Sequence, residues 1–302
     1  MHYAIVAIGS RGDVQPYIAL ALGLKERGDA ATIFAHENFK DFVEGYHIGF
    51  VPVTGHVETL LRSAEGMKMV KNGSLLAFTR YLLKMNEVTM QSLSKLIALF
   101  ESSDVLISSL LAMPWVDAIA EKLGKKWAIV QLNLPAVPTK AFPLILLNFF
   151  NFPAYNLMTY RLYEWVYWKA NKKNINTFRR TIGLPEQKRP LLKRIAAARI
   201  PNLHCFSASL LARPRDWSNE VDITGFLFLP PAIQYHVPPG LEAWLDQGDR
   251  PVYFGFGSIP VPDPDLIIAI VKELLAKTNY RFIYCYNWTP AMNLPDNPRL
   301  FQ

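Results

Sequence analysis

Short apolar runs alternate with amphipathic stretches along this chain, and the alternation predicts most of its elements. Tyr3–Ile8 is an apolar run with no polar alternation, the mark of a parallel strand covered on both faces. Val14, Ile18, Ala21 and Leu22 then recur at helical spacing, predicting a helix over 14–27 that stops at Gly28. Residues 30–35 read as a second strand, 39–44 as a short helix and 50–53 as a third strand. A long helical region is expected over 75–100. After it come a strand at 104–109 (DVLISS), a helix at 114–124 and a strand at 126–132. Apolar runs alternating with amphipathic helices give a doubly wound, Rossmann-like parallel sheet, an α/β fold.

The order breaks at 133–165, a stretch rich in proline and aromatic residues, and a helical run follows to about residue 182. Strand-like segments at 203–209 and 221–225 close a first domain, expected to span 1–225. Residues 226–249 begin with FLFLPPAIQYHVPPG and its four prolines, and read as an interdomain linker. PVYFGFGS at 251–258, a helix near 264–277 and RFIYCY at 281–286 then open a second Rossmann-like domain, 250–302. Two strands are too few to close a core, so this domain is read as incomplete.

Composition narrows the class. The 302 residues are 51% hydrophobic, with a mean hydropathy of +0.10. The most apolar segment, 141–158, is interrupted by Pro143, Asn148, Asn151 and Pro153 and falls short of the ~20 apolar residues that a spanning helix needs. No signal peptide is recognised and only two cysteines are present, so a cytoplasmic protein is expected. Asn72-Gly-Ser and Asn287-Trp-Thr match the glycosylation pattern and are read as chance. The net charge of +7 is concentrated: residues 169–215 carry twelve Lys and Arg against Glu186 alone, leaving the remainder at −4. Beside an aromatic stretch, this block fits either peripheral contact with an anionic membrane or a solvated helical face. No nucleic-acid recognition motif accompanies it.

The candidate chemistry sits in GSRGD, residues 9–13, between the first strand and the first helix. Gly9 and Gly12 suit a tight turn, and Asp13 suits a helix N-cap with Pro16 tolerated in the first turn. The dinucleotide fingerprint is not met. The glycines are spaced G-x-x-G, and Gln15 stands where a third glycine belongs. The histidines show no metal-ligand spacing, so no metal is expected. From Leu144 to Tyr167, Phe149, Phe150, Phe152, Tyr155, Tyr160, Tyr163, Trp165 and Tyr167 crowd together. They suit a pocket for a flat apolar ligand, a membrane contact or plain core.

GSRGDVQPYIALALGLKERG with HENFKDFVE at 36–44 resembles the N-terminal half of GT-B glycosyltransferases of the sterol and glycopeptide UDP-glucosyltransferase group, the family 28 type. PTKAFP at 138–143 is similar to that group's Pro-Thr…Phe-Pro segment, and PVYFGFGS to the opening strand and loop of its C-terminal domain. The resemblance implies inverting transfer of a hexosyl unit, glucose from UDP-glucose, to a hydroxyl of a sterol or other lipid-like acceptor, with no further cofactor. It implies that Asp13 is the general base, and that Ser10, Arg11 and Gly12 complete an acceptor-side loop. Arg11 is open to orienting Asp13, meeting donor phosphate or, the reading favoured here, facing solvent. Gly255, Gly257 and Ser258 would face the donor diphosphate. The group's donor-binding His-Gly-Gly run would fall beyond residue 302, so the resemblance is to a truncated C-terminal domain. The alternative is a non-catalytic acceptor-binding or partner-binding fragment that needs a separate donor half.

Overall fold

The computed structural model describes residues 1–55, 59, 63, 66–67, 86–132, 136–231, 237–258, 261, 263–286 and 293–302. Residues 75–85 of the expected 75–100 helix, residues 133–135, both glycosylation patterns and part of the proline-rich segment lie outside the described residues. The chain divides into two units, Met1–His56 with Leu83–Pro230 and Val57–Leu82 with Pro231–Gln302.

The first unit is built on β1 (His2–Val6), β2 (Ala30–His36), β3 (Gly49–Val53), β4 (Val105–Ser108), β5 (Lys126–Gln131), β6 (Asn202–His204) and β7 (Val221–Ile223). All seven are parallel, in the order β3-β2-β1-β4-β5-β6-β7. Ala4 to Ile8 are at most 1% exposed, which is why this run carries no polar alternation. Its side chains part by period two. Ala4, Val6 and Ile8 enter one core with Trp115, Ile119 and Phe178, while Ile5 and Ala7 enter the other with Val14, Tyr17 and Ile18.

Helices cover both faces: α1 (Arg11–Glu26) and α2 (Lys40–Glu44) on one, and α3 (residues 86–95), α4 (Met113–Leu123), α5 (Pro153–Thr181) and α6 (Leu191–Ala197) on the other. The helix α4 stops at Gly124, whose φ of +63° is the left-handed cap that glycine adopts without strain. Two expectations are corrected. First, α1 begins at Arg11 rather than Val14, so its N-cap is Ser10 and not Asp13, and Pro16 lies past the first turn. Second, the aromatic stretch does not break order up to residue 165. From Pro153 it is one 29-residue helix, started by a proline that needs no donor at that position.

The basic block also separates. Arg179 pairs both terminal nitrogens with Glu121 at 2.9 Å, and Arg194 binds the buried Asp117 at 2.8 and 3.0 Å while reaching Glu121 at 2.9 Å. These arginines clamp α4, α5 and α6 together. Desolvation pushes the Asp117 carboxyl up against the pull of Arg194. Glu121 is held below its ordinary value by its bond from Arg179.

The second unit holds α7 (Leu241–Asp246), β8 (Val252–Gly255), α8 (Pro264–Lys277), β9 (Phe282–Cys285) and β10 (Leu300–Phe301), with strand order β10-β9-β8, all parallel. A third strand thus joins the two that the sequence predicts. Val271 and Leu275 pack on Phe282, Tyr284, Leu294 and Leu300. The Arg281 guanidinium lies 3.7 Å from the Trp244 ring centroid and donates to the carbonyls of Trp244, Leu245 and Asp249. Among the described residues, no helix is long and apolar enough to cross a membrane.

Candidate functional site

Strand order reverses between β1 and β4: later strands run outward to either side of this pair. In an open α/β sheet, a crevice for ligands forms beyond the carboxyl ends of the strands at such a switch point. The chain segment leaving β1 here is GSRGD, and the one leaving β4 begins with Ser109.

Ser10 sets the start of α1. Its carbonyl accepts from the Asp13 N–H at 2.9 Å. Asp13, in the first turn, accepts on Oδ2 from the Ser10 N–H at 2.8 Å and the Ser10 hydroxyl at 3.0 Å. The carboxylate is therefore fixed by one oxygen near the positive end of the helix. Its Oδ1 has no hydrogen-bond donor among the described residues. Gly9 is required by this arrangement. Its φ is +145°, and a Cβ there would lie 2.3 Å from Asp13 Oδ2 and 2.5 Å from Asp13 Cβ and Cγ. Gly12 differs, since a Cβ on it would meet only Ser10 Oγ, at 3.8 Å. Nothing in the fold demands glycine there, and the position lies open to solvent. Pro16, inside α1, has no N–H to give the Gly12 carbonyl, which leaves that oxygen without its helical donor.

Arg11 lies away from Asp13. It is exposed, donates to Gln15 Oε1 at 3.3 Å and stands over the Phe42 ring at 4.7 Å. Asp13 also lines a small cavity of about 20 Å³ with Ile8, Tyr17, Ser109, Leu110 and Leu132. These neighbours were not singled out from sequence. Tyr17 carried a signal, being one helical turn beyond Asp13. Burial holds its phenol well above the ordinary value, so it stays a donor, here to the Val130 carbonyl at 2.6 Å. The serines that end DVLISS had no such signal. Ser109 accepts from the Ile8 N–H at 3.3 Å and so ties the ends of β1 and β4.

Leu110 also borders a larger cavity, about 300 Å³, lined by Met113, Ile129, Val137, Tyr163 and Trp217 among others. That volume is at the lower end for small-molecule sites. Pro138, which opens the PTKAFP segment, and Asp216 also line this cavity. The Thr139 hydroxyl and Lys140 N–H donate to Asp216 at 2.6 and 2.7 Å. Against the upward push of desolvation, these bonds hold the Asp216 carboxyl below its ordinary value. The eight aromatics do not act as one group: Tyr160 is buried, Tyr155 and Tyr167 are half-buried, Tyr163 lines the cavity, and Phe149, Phe150, Phe152 and Trp165 are exposed.

Gly255, Gly257 and Ser258 lie on the second unit. Gly255 ends β8, and Gly257 turns the chain with φ of +60°, a conformation that favours glycine. A Cβ on Gly255 would meet the Tyr253 side chain at 2.4 Å. Among the described residues, no group of three or more His, Cys, Asp or Glu is placed to hold a metal ion.

Residues 3–135 match the glycosyltransferase family 28 N-terminal domain. Relatives extend over nearly the whole chain. A sterol 3-beta-glucosyltransferase of Aspergillus terreus is 32% identical across 98% of the chain, and one of Glomerella lagenarium is 34% identical across 95%. The chain spans about a fifth of the length of these relatives (22% and 19%). Among solved structures, the glycotransferase of kitacinnamycin superposes with a TM-score of 0.60 at 17% identity, covering 99% of this chain and 69% of that one. Arabidopsis thaliana UGT89C1 complexed with UDP gives 0.56 at 15%, with the same coverages. The fold is that of GT-B glycosyltransferases, and residues 3–135 are similar to the glycosyltransferase family 28 N-terminal domain.

Proposed function

We propose that this chain carries the acceptor-binding part of a UDP-sugar-dependent, inverting glycosyltransferase that moves a glucosyl unit onto a hydroxyl of a sterol or other lipid-like acceptor. The observation that carries the reading is Asp13. Its carboxylate stands at the switch point of the sheet, held through Oδ2 by Ser10 alone, with Oδ1 left unengaged among the described residues. The relatives described as sterol 3-beta-glucosyltransferases support the acceptor class, and the apolar cavity beside Leu110 suits it.

In this reading Oδ1 takes the proton of the acceptor hydroxyl as its oxygen attacks the anomeric carbon. The bond from that carbon to the UDP oxygen breaks on the opposite face, and UDP leaves with the bonding pair. A carboxylate is a weak base for an alcohol, so position and concerted transfer supply the effect. The open Gly12 position lets the acceptor approach the first turn of α1. N–H groups of the Gly255–Ser258 loop would stabilise the departing diphosphate. Domain limits of 1–225, 226–249 and 250–302 go with this reading, the last being the start of a donor-binding domain.

Mass spectrometry tests it. The purified chain, given UDP-glucose and a panel of sterols and lipid alcohols, is expected to yield a hexoside that Asp13→Asn abolishes. An acceptor that binds without being converted would make the chain an acceptor half that depends on another polypeptide for the donor.

A further inference from the structure

The outer face of α5 breaks the usual rule for a surface helix, whose solvent side is polar. Met158, Leu162, Trp165 and Val166 follow one another at helical spacing and are each about half exposed, Trp165 at 58%. The loop entering the helix adds Phe149 at 75% and Phe150 at 62%. One to two turns further along the same face the side chains change to Lys169, Lys172 and Lys173, all exposed. Unlike Arg179 and Arg194, these lysines have no acidic partner among the described residues. Lys169 stands 5.9 Å from the Trp165 ring.

We propose that this face docks on an anionic lipid bilayer, with the Phe149–Val166 end entering the boundary between head groups and acyl chains and the three lysines meeting head-group phosphates. An apolar end sinks ~5–10 Å in such an arrangement, and ~1.5 Å of rise per residue along the helix leaves the lysines at head-group level. Charge selects the lipid over a second copy of this chain. A parallel pairing of two α5 faces opposes lysine to lysine, and an antiparallel one lays three ammonium groups over the partner's apolar stripe. The docked face also adjoins an open groove of about 640 Å³ that Arg161, Trp165, Trp168 and Pro138 line. Pro138 lines the 300 Å³ cavity as well. A lipid acceptor leaving the bilayer would therefore meet a groove that adjoins, at Pro138, the cavity beside the candidate site; that consequence rests on the proposed function, whereas the docking does not.

Vesicle co-sedimentation without any sugar donor tests the docking separately from catalysis. The chain is expected to sediment with phosphatidylcholine–phosphatidylserine vesicles, to release at high salt, and to bind pure phosphatidylcholine weakly. Lys169→Ala, Lys172→Ala and Lys173→Ala should each weaken binding about fivefold, and the triple variant about a hundredfold. Phe150→Ser with Trp165→Ser should abolish it while leaving the circular dichroism melt unchanged, since both side chains are exposed. Equal binding by the wild type and the triple lysine variant, or no sedimentation with anionic vesicles, overturns the proposal. A dimer that Trp165→Glu dissociates, found alongside the latter result, would assign the face to a second copy.

Discussion

At Gly9 the side-chain space is set by another residue's chemistry. Sequence pattern explains the glycine as a turn, but a turn tolerates several residues, whereas the Asp13 carboxylate occupies the volume a Cβ would need. Gly9→Ala is therefore expected to displace Asp13 and to add backbone strain of ~1–3 kcal/mol. The thermal melt reads the strain, and turnover reads the displacement. Asp13→Asn keeps the shape and an acceptor for Ser10 while removing the base, so kcat should fall ~10²–10⁴-fold with little change in melting. His204 gives a pH test. It is fully buried and stacked on Trp217 at 5.2 Å, and neither ring nitrogen has a hydrogen-bond partner among the described residues. Burial lowers its pKa from 6.5 to about 4. Between these values the unfolded chain binds the extra proton, so stability declines as pH falls from 6.5 toward 4, by up to ~3 kcal/mol. Denaturant midpoints measured across that range should drop, and His204→Phe should flatten the decline.

At the scale of elements, the strands were the most legible part. Ala4–Ile8 reads as buried on both faces because it is, and β2, β4 and β5 follow from runs of the same kind, whereas the edge strands β3 and β7 are only partly buried. Helix starts were less legible. Asp13 and Ser10 are both good caps, and only the geometry shows that the bond from Ser10 to Asp13 Oδ2 places the start at Arg11. The start of helix α5 was obscured because the solvent face of its N-terminal half, Met158, Leu162, Trp165 and Val166, is apolar, which erases the helical period. The charge block was opaque for a related reason. Counting lysines and arginines does not reveal that Arg179 and Arg194 lock onto Glu121 and Asp117. Arg194→Met leaves the buried Asp117 without its partner and should cost ~3–5 kcal/mol, seen as a lower melting temperature. Lys172→Met, on the solvent side of α5, should leave the melt unchanged.

For the whole molecule, the parallel sheet and its alternation were readable, but the strand order was not, because periodicity carries no information about which strands are neighbours. That order is what gives GSRGD its meaning: the reversal between β1 and β4 makes the loop after β1 a ligand-facing one. The candidate loop was thus visible in the sequence, whereas its companions from β4 and β5, Ser109, Leu110 and Leu132, required the fold. The central claim is that Asp13 removes the proton of an acceptor hydroxyl during glucosyl transfer. Product mass spectrometry with UDP-glucose and the sterol and lipid-alcohol panel, run on the wild type beside Asp13→Asn, tests it most directly. A hexoside made by the wild type and lost in the variant is the predicted result. A hexoside formed equally by both would contradict it.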